Sequence, residues 1–589
     1  MSELANPLSS WNTEHSPFAS VIGTNHVPST AELKSLQAHL VHPQLELSHL
    51  ETEIDRAQTV LSNLLSEKRK IGNYIEAHRA LASPVRQIPP ETLAEIFVQC
   101  LPTEPSYPAR NLNEAPLIFM TICRHWRSVA LTTPLLWNSL HIFLPPHLSE
   151  DACSRRIAGT TMWLERSGSL PLSISFHGNT NLRHAWNPGQ ISHSERAMPE
   201  TNMELMIRSL MLFSDRFRDV FLSLTSTSFT SFNKLSPSLF PSLISLRVRD
   251  EDSQFGTMWS SDDPAFSPLL SRMPLLKSLE IDEVLVPDKN FHLLPCNWRN
   301  ITNIAIKDSL TPVKVIAILT ETPWIQSISF LIALGDDMAS TVVHLKDLVE
   351  MRLSVFQNQP VEDDALDGFF QTQVTSLTNC IQCSALRVLD FSSDWPTMAI
   401  SKWPFSRLPL HSLEILNLAM PLTPNALTEC LSQTPNLINF EFKTAMWPKF
   451  PLRDSHLSSL TFSPNNPNPM WPRLQNIRVL DQIYALEQSI SSSATTSAKS
   501  LTNFLESRYQ KTPLKSCDML YQAKPDPYFS EAELSILQNL KQNGLKLRLH
   551  VQAKPPYGFT PDSPDTGIAH RFSPRHSDME GHFGAEVII

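Results

Sequence analysis

Residues 312–330 read PVKVIAILTETPWIQSISF. A helix-like aliphatic stretch runs up to Pro323, the anchor Ile325 stands two residues later, and Ile328 and Phe330 follow it at three and five positions. The last two apolar positions alternate as a strand with one buried face requires. The proline stops the helix before the strand begins. The same triplet recurs on both sides: Leu243-Leu246-Val248, Leu276-Leu279-Ile281, Ile301-Ile304-Ile306, Leu348-Met351-Leu353 and Leu386-Leu389-Phe391, then Leu413-Leu416-Leu418, Leu437-Phe440-Phe442, Leu457-Leu460-Phe462 and Leu474-Ile477-Val479. With the quoted copy these make ten, and Pro241, Pro274, Pro435 and Pro472 repeat the punctuation. Successive anchors are 33, 25, 24, 23, 38, 27, 24, 20 and 17 residues apart.

That pattern resembles the leucine-rich repeat, whose period is roughly 20–29 residues. The resemblance implies an α/β solenoid over residues 165–551, irregular in curvature, with a flexible insertion near 483–500 and a closing strand through Leu545, Leu547, Leu549 and Val551. Only Asn465 occupies the asparagine position of the repeat consensus, so a side-chain ladder along the turn is not expected. Each repeat buries its apolar side against its neighbours and leaves the intervening strand residues on a concave face. Arg247, Glu280, Ala305, Ser329, Arg352, Asp390, Asn417 and Glu441 fall there, a mixture of no single sign. A protein target of unknown identity is expected on that face.

Upstream, residues 83–102 read SPVRQIPPETLAEIFVQCLP, and after an insertion residues 116–142 read PLIFMTICRHWRSVALTTPLLWNSLHI. Pro90 and Glu91 suit a helix first turn, where a missing N–H costs nothing and a negative charge meets the dipole. Leu93, Ile96 and Phe97 then share one face at i, i+3 and i+4. The segment resembles an F-box: an apolar residue and proline (Ile88, Pro89), a helix with spaced aliphatics, a Cys-Arg-x-Trp core (Cys123, Arg124, Trp126), and a closing proline with a Leu-Trp pair (Pro134, Leu136, Trp137). The combination with a preceding Leu-rich helix is similar to the expanded fungal F-box families. The resemblance implies an all-α domain over 84–145 that docks a Skp-family adaptor through Ile88, Pro89, Glu91, Leu93, Ile96 and Phe97, with cullin and RING subunits reached through the adaptor. Trp126 and Trp137 are expected to be core anchors. Ile88 replaces the commoner leucine, and the Pro-rich insertion 103–115 lengthens the loop between the helices.

Before this segment, Leu47, Leu50, Ile54, Ala57, Leu61, Leu64, Ile71 and Ile75 step alternately by three and four, with Lys68 in the same stripe. Residues 31–80 are therefore expected to form a long amphipathic, coiled-coil-like helix. The stripe serves either to fold the helix back on the following domain, the reading favoured by Ala57 and Lys68, or to pair two copies as a homodimer. Residues 1–30 and 552–589 have too little apolar surface to order and are expected to be disordered.

Composition narrows the function. The 589 residues carry a net charge of −10 and no dense basic stripe, so nucleic acid is not an expected partner. No stretch approaches the roughly 20 apolar residues that span a bilayer, and a cytoplasmic and/or nuclear location is expected. Fourteen glycines against 47 prolines argue against Gly-rich phosphate loops, and neither a G-x-S-x-G nor an H-E-x-x-H motif occurs. Cys380-x-x-Cys383 has no second pair to complete a zinc site, so the thiols are read as reduced and no metal or cofactor is expected. The expected function is that of a non-catalytic substrate receptor of a Skp–cullin–F-box (SCF) ubiquitin ligase; the alternative is a ubiquitin-independent repeat scaffold.

Overall fold

The computed structural model describes residues 12–102, 107–145, 148–178, 200–251, 264–282, 291–335, 339–357, 366–393, 400, 402–420, 422–444, 452–464, 466–481, 497–512, 514–522, 529–552 and 586–587. The chain divides into two units, Met1–Leu93 and Ala94–Ile589.

The first unit is dominated by α1 (Thr30–Leu81), a helix of 52 residues. Its start is set by a capping box: Glu32 N–H donates to Ser29 Oγ (3.3 Å), and Ser29 N–H donates to the Glu32 carboxylate (2.7 Å). Residues 12–29, expected to be disordered, instead hold a 3₁₀ turn (Thr13–His15) capped by Asn12, and the Phe18 ring meets His39 edge-on at 6.2 Å. That ring supplies the apolar contact which composition alone understated. No residue of α1 is buried. The apolar members of the stripe from Leu47 to Ile75, apart from Ala57, are 43–62% exposed.

The unit boundary falls within α2 (Pro90–Gln99), followed by α3 (Phe119–Ile122) and α4 (Arg124–Leu131). Phe97 stacks on Phe119 at 4.0 Å, and Trp126 lies 5.0 Å from Phe97.

A large sheet then occupies the second unit. In chain order its strands are β1 (Ser139–Leu144), β2 (Leu172–Gly178), β3 (Phe217–Leu224), β4 (Ser245–Asp250), β5 (Ser278–Asp282), β6 (Asn303–Leu310) and β7 (Ser327–Leu334). Two short strands, β8 (Val343–Leu345) and β10 (Ile381–Cys383), pair with each other outside it. The sheet resumes with β9 (Glu350–Gln357), β11 (Val388–Ser393), β12 (Ile415–Ala419), β13 (Asn439–Thr444), β14 (Asn476–Asp481), β15 (Ser516–Gln522), β16 (Lys546–Gln552) and β17 (Glu586–Val587). Every pairing from β1 to β16 in this sheet is parallel between sequence neighbours, giving 14 parallel strands, and β17 adds antiparallel to β16.

Crossovers carry α5 (Glu150–Arg166), α6 (Glu200–Met211), α7 (Ser226–Leu235), α8 (Ser267–Leu270), α9 (Pro312–Glu321), α10 (Leu366–Asn379), α11 (Pro424–Gln433), α12 (Asp454–Leu460), α13 (Ala498–Lys511) and α14 (Glu531–Gln542). Neighbours such as α5 and α6, α6 and α7, and α12 to α14 pack on one another. The core lies between helices and sheet: Leu246, Leu279, Ile304, Ile328, Met351, Leu389, Leu416, Phe440 and Ile477 are all buried, and each is paired with the next in register.

Nine of the ten expected triplets fall on strands. The exception is Leu457-Leu460-Phe462, which lies largely in α12. Leu457 and Leu460, three apart, share a helix face as readily as they punctuate a turn into a strand. The neighbouring spacings of 20 and 17 together make one repeat. Four strands of the 14-stranded parallel array fall outside both these triplets and the expected closing run. Trp137-x-x-Leu140-x-Ile142 (β1), Phe217-x-x-Val220-x-Leu222 (β3) and Leu514-x-x-Cys517-x-Met519 (β15) fit the triplet once Trp, Phe, Cys and Met are admitted, while β2 has Pro171 in the anchor place.

The sheet thus begins inside the segment expected to be all-α, well before residue 165. Of the insertion 103–115, residues 103–106 lie outside the described residues, but Ala109 bridges to His141 and His141 N–H donates to Pro108 O (2.9 Å), so the segment runs beside β1. Arg110 seats on α5, donating to Arg156 O (3.1 Å), where Gly159 leaves room: a β carbon there would stand 1.9 Å from Arg110 Nη2. Most of the expected insertion 483–500, and Asn465, lie outside the described residues; 498–500 open α13. Within the tail expected to be disordered, Glu586–Val587 form β17.

Candidate functional site: a helical surface and a polar row on the sheet

The six residues expected to face an adaptor do not share one fate. Ile88 is half-buried; Pro89 and Glu91 are exposed at the start of α2. Ile96 is 41% exposed, whereas Leu93 and Phe97 are 1% and 0% exposed. The last two are corrected from surface to core. At i and i+4 they lie on the inward side of α2, and Ile96, about 100° round from Phe97, points away from it. Trp126 is half-buried and Trp137 fully buried, as core anchors. Leu112, Ile122 and Leu135 are 65%, 52% and 46% exposed in the same stretch. They escaped the sequence reading because α3 has only four residues and Leu112 and Leu135 lie outside the α-helices, so no periodicity marks them.

The second surface is the outer face of the sheet. All eight residues expected on it fall in one register row, each paired with the next from Arg247 on β4 to Glu441 on β13. The row extends through Phe221, Ser175 and His141 on one side and through Arg478, Asp518 and Arg548 on the other.

Its charges are locally matched. Arg247 and Lys307 meet Glu280 at 3.1 and 2.6 Å, and Arg249 meets Asp282 at 3.3 Å. Farther along, Lys443 lies 2.7 Å from Glu441, and Arg478 lies 3.4 Å from Asp518. Most of these cations keep a third or more of their side chains exposed, so each pair adds little stability and remains open to a partner. Between the two charged groups the row carries the small Ala305 and Ser329. Burial raises the Asp390 carboxyl above its ordinary range, while Asn417 Nδ2 donates to it at 3.3 Å. Tyr107, from the insertion, is likewise raised, by burial first and then by Asp219.

At the β1 end the row becomes aromatic. His141 and His177 meet at 5.1 Å, His177 and Phe221 at 4.9 Å, and the Arg247 guanidinium stands 4.6 Å over the Phe221 ring. Burial, then the charges of His141, Arg249 and Arg247, lower His177 from 6.5 to about 4. Between those values the unfolded chain binds a proton at His177 that the folded chain does not, so stability falls as pH drops from 6.5 toward 4. His141, also lowered by burial, acts in the same direction. His177→Gln is expected to flatten this dependence, read as the difference in urea midpoint between pH about 7 and about 4.5.

Desolvation acts in the opposite direction on two half-buried thiols: Cys296 is pushed up to about 12 and Cys383 to about 11, which disfavours the nucleophilic thiolate at neutral pH. Among the described residues no group of three His, Cys, Asp or Glu side chains is placed to hold a metal ion, and no helix is long and apolar enough to cross a membrane.

Fold and surfaces together define an α/β protein with a long N-terminal helix and a large parallel sheet. In comparisons with known proteins the chain matches no family model and no curated protein.

Proposed function

We propose that this chain is a substrate receptor of an SCF-type ubiquitin ligase, its F-box-like helices docking a Skp-family adaptor and its leucine-rich-repeat-like solenoid holding the target. The observation that carries the reading is the division of the second unit's part of α2: Phe97 is consumed by the core, stacked on Phe119, while Ile96 on the same helix remains 41% exposed. An apolar residue left on a short, well-anchored helix is what a docking surface needs. The polar row, with matched charges and an aromatic end, suits a folded protein target better than a single-sign ligand. The mechanism is then proximity: the cullin and RING subunits bring a charged conjugating enzyme near a lysine of the bound target and raise its effective concentration.

A different observation favours a second reading. Trp137 stacks edge-on with Trp163 of α5 at 4.8 Å, and the insertion bridges to β1, so the helical segment also caps the sheet edge as it would in a ubiquitin-independent scaffold. The two readings separate on adaptor co-purification. Ile96→Asp is expected to lower recovery of a Skp-family adaptor at least tenfold while leaving the circular dichroism spectrum unchanged, because the side chain is outside the core. Equal recovery with native chain and variant counts against the receptor reading.

A further inference from the structure

We infer that α1 is one strand of a parallel two-stranded coiled coil, and that the partner is α1 of a second copy of this chain. The inference stands apart from the ligase reading and rests on the first unit alone. From Leu47 to Ile75 the stripe keeps a strict seven-residue repeat for four heptads. An isolated straight helix has 3.6 residues per turn, so a 3.5-residue seam stays in line only when two helices supercoil about it. The partner must therefore be a helix of matching length and period. Among the described residues the next longest helix, α5, has 17 residues against the 52 of α1, so a second α1 is what this chain supplies.

Three details agree. With Leu47 at position a, Val60 falls at g and Leu65 at e, five residues on, where the g residue of one strand meets the e residue of its parallel partner. Both are exposed, at 57% and 50%, and pairing them closes the seam on either side. Tyr74 at g and Arg79 at e stand in the same relation, one ring and one cation. Lys68 occupies an a position, where a lone polar residue selects two strands and fixes their register at some expense of stability. Covering the stripe and these flanks on both helices removes roughly 1,800 Å² from water, the size of a stable specific interface. Pro43, in the seam one heptad repeat before Leu50, marks the N-terminal limit of close packing.

The test is sedimentation equilibrium on the full-length chain at about 1–50 μM. The native chain is expected at twice the 66.5-kDa chain mass, with no larger species. Leu61→Glu with Leu64→Glu, both exposed and outside any core, is expected to give the single-chain mass with the thermal unfolding of the sheet unit retained. Lys68→Leu completes the seam and is expected to tighten the dimer at least tenfold without raising its mass. A native chain that stays at the single-chain mass throughout overturns the inference, whatever other helix it captures. So does a dimer that survives both glutamates.

Discussion

Replacing Arg508 by methionine is expected to destabilise the sheet unit by about 4 kcal/mol, since three carbonyls, two of them buried and one part-buried, would lose a charged donor at about 1–2 kcal/mol each. Arg508 is 0% exposed, and among the described residues no carboxylate pairs with it. Its guanidinium donates to Leu460 O (2.5 Å), to Trp471 O (2.6 Å) and to Met470 O, and lies 5.2 Å from the Phe462 ring. The fork thereby ties the end of α12 to the turn before β14. That turn is strained: Trp471 has φ 55°, in the left-handed region, which a bulky side chain adopts only when its surroundings over-determine it. Here they do, with the indole buried and its N–H donating to Thr434 Oγ1 at 3.0 Å. Burial lowers the Arg508 pKa to about 10, so it remains charged at neutral pH. Lysine at this position should rescue only part of the loss, because one point charge cannot satisfy three diverging acceptors. A denaturant melt of the methionine variant within about 1 kcal/mol of the native value would show that the fork does not organise this turn.

Trp137→Ala is expected to cost about 3–5 kcal/mol. Trp137 is fully buried, donates from Nε1 to Ala130 O at 2.8 Å, meets Trp163 edge-on, and carries the Arg166 guanidinium 4.8 Å over its ring. It therefore joins α4, β1 and α5 in one core. Phenylalanine keeps part of the area but loses the hydrogen bond, and its variant should fall between the two in urea midpoint. The same position explains why lost adaptor binding in a Trp137 variant would report unfolding rather than docking.

Where apolar residues alternate against polar ones the chain declared its structure. The triplets from Leu243 to Val479 placed nine strands, and the face residues they implied form one continuous row. What was hidden depended on tertiary context. Leu457 and Leu460 satisfy helix and turn templates alike, and only packing decides between them. Phe217 and Trp137 serve as anchors of the wrong chemical type for a leucine pattern. On α2, spacing put Leu93, Ile96 and Phe97 on one face, but the 100° step that buries Phe97 and frees Ile96 depends on where Phe119 and Trp126 arrive from later in the chain. The exposed Leu112, Ile122 and Leu135 carry no periodic signal at all. The stripe of α1 was legible to the residue, but periodicity alone does not say whether a seam is covered.

The central claim is tested most directly by titrating the purified full-length chain with a purified Skp-family adaptor in a calorimeter. The receptor reading predicts saturable binding at one adaptor per chain with a Kd below about 1 μM. No heat of binding at micromolar concentrations, from a chain that melts cooperatively, would contradict it and leave the scaffold as the better account.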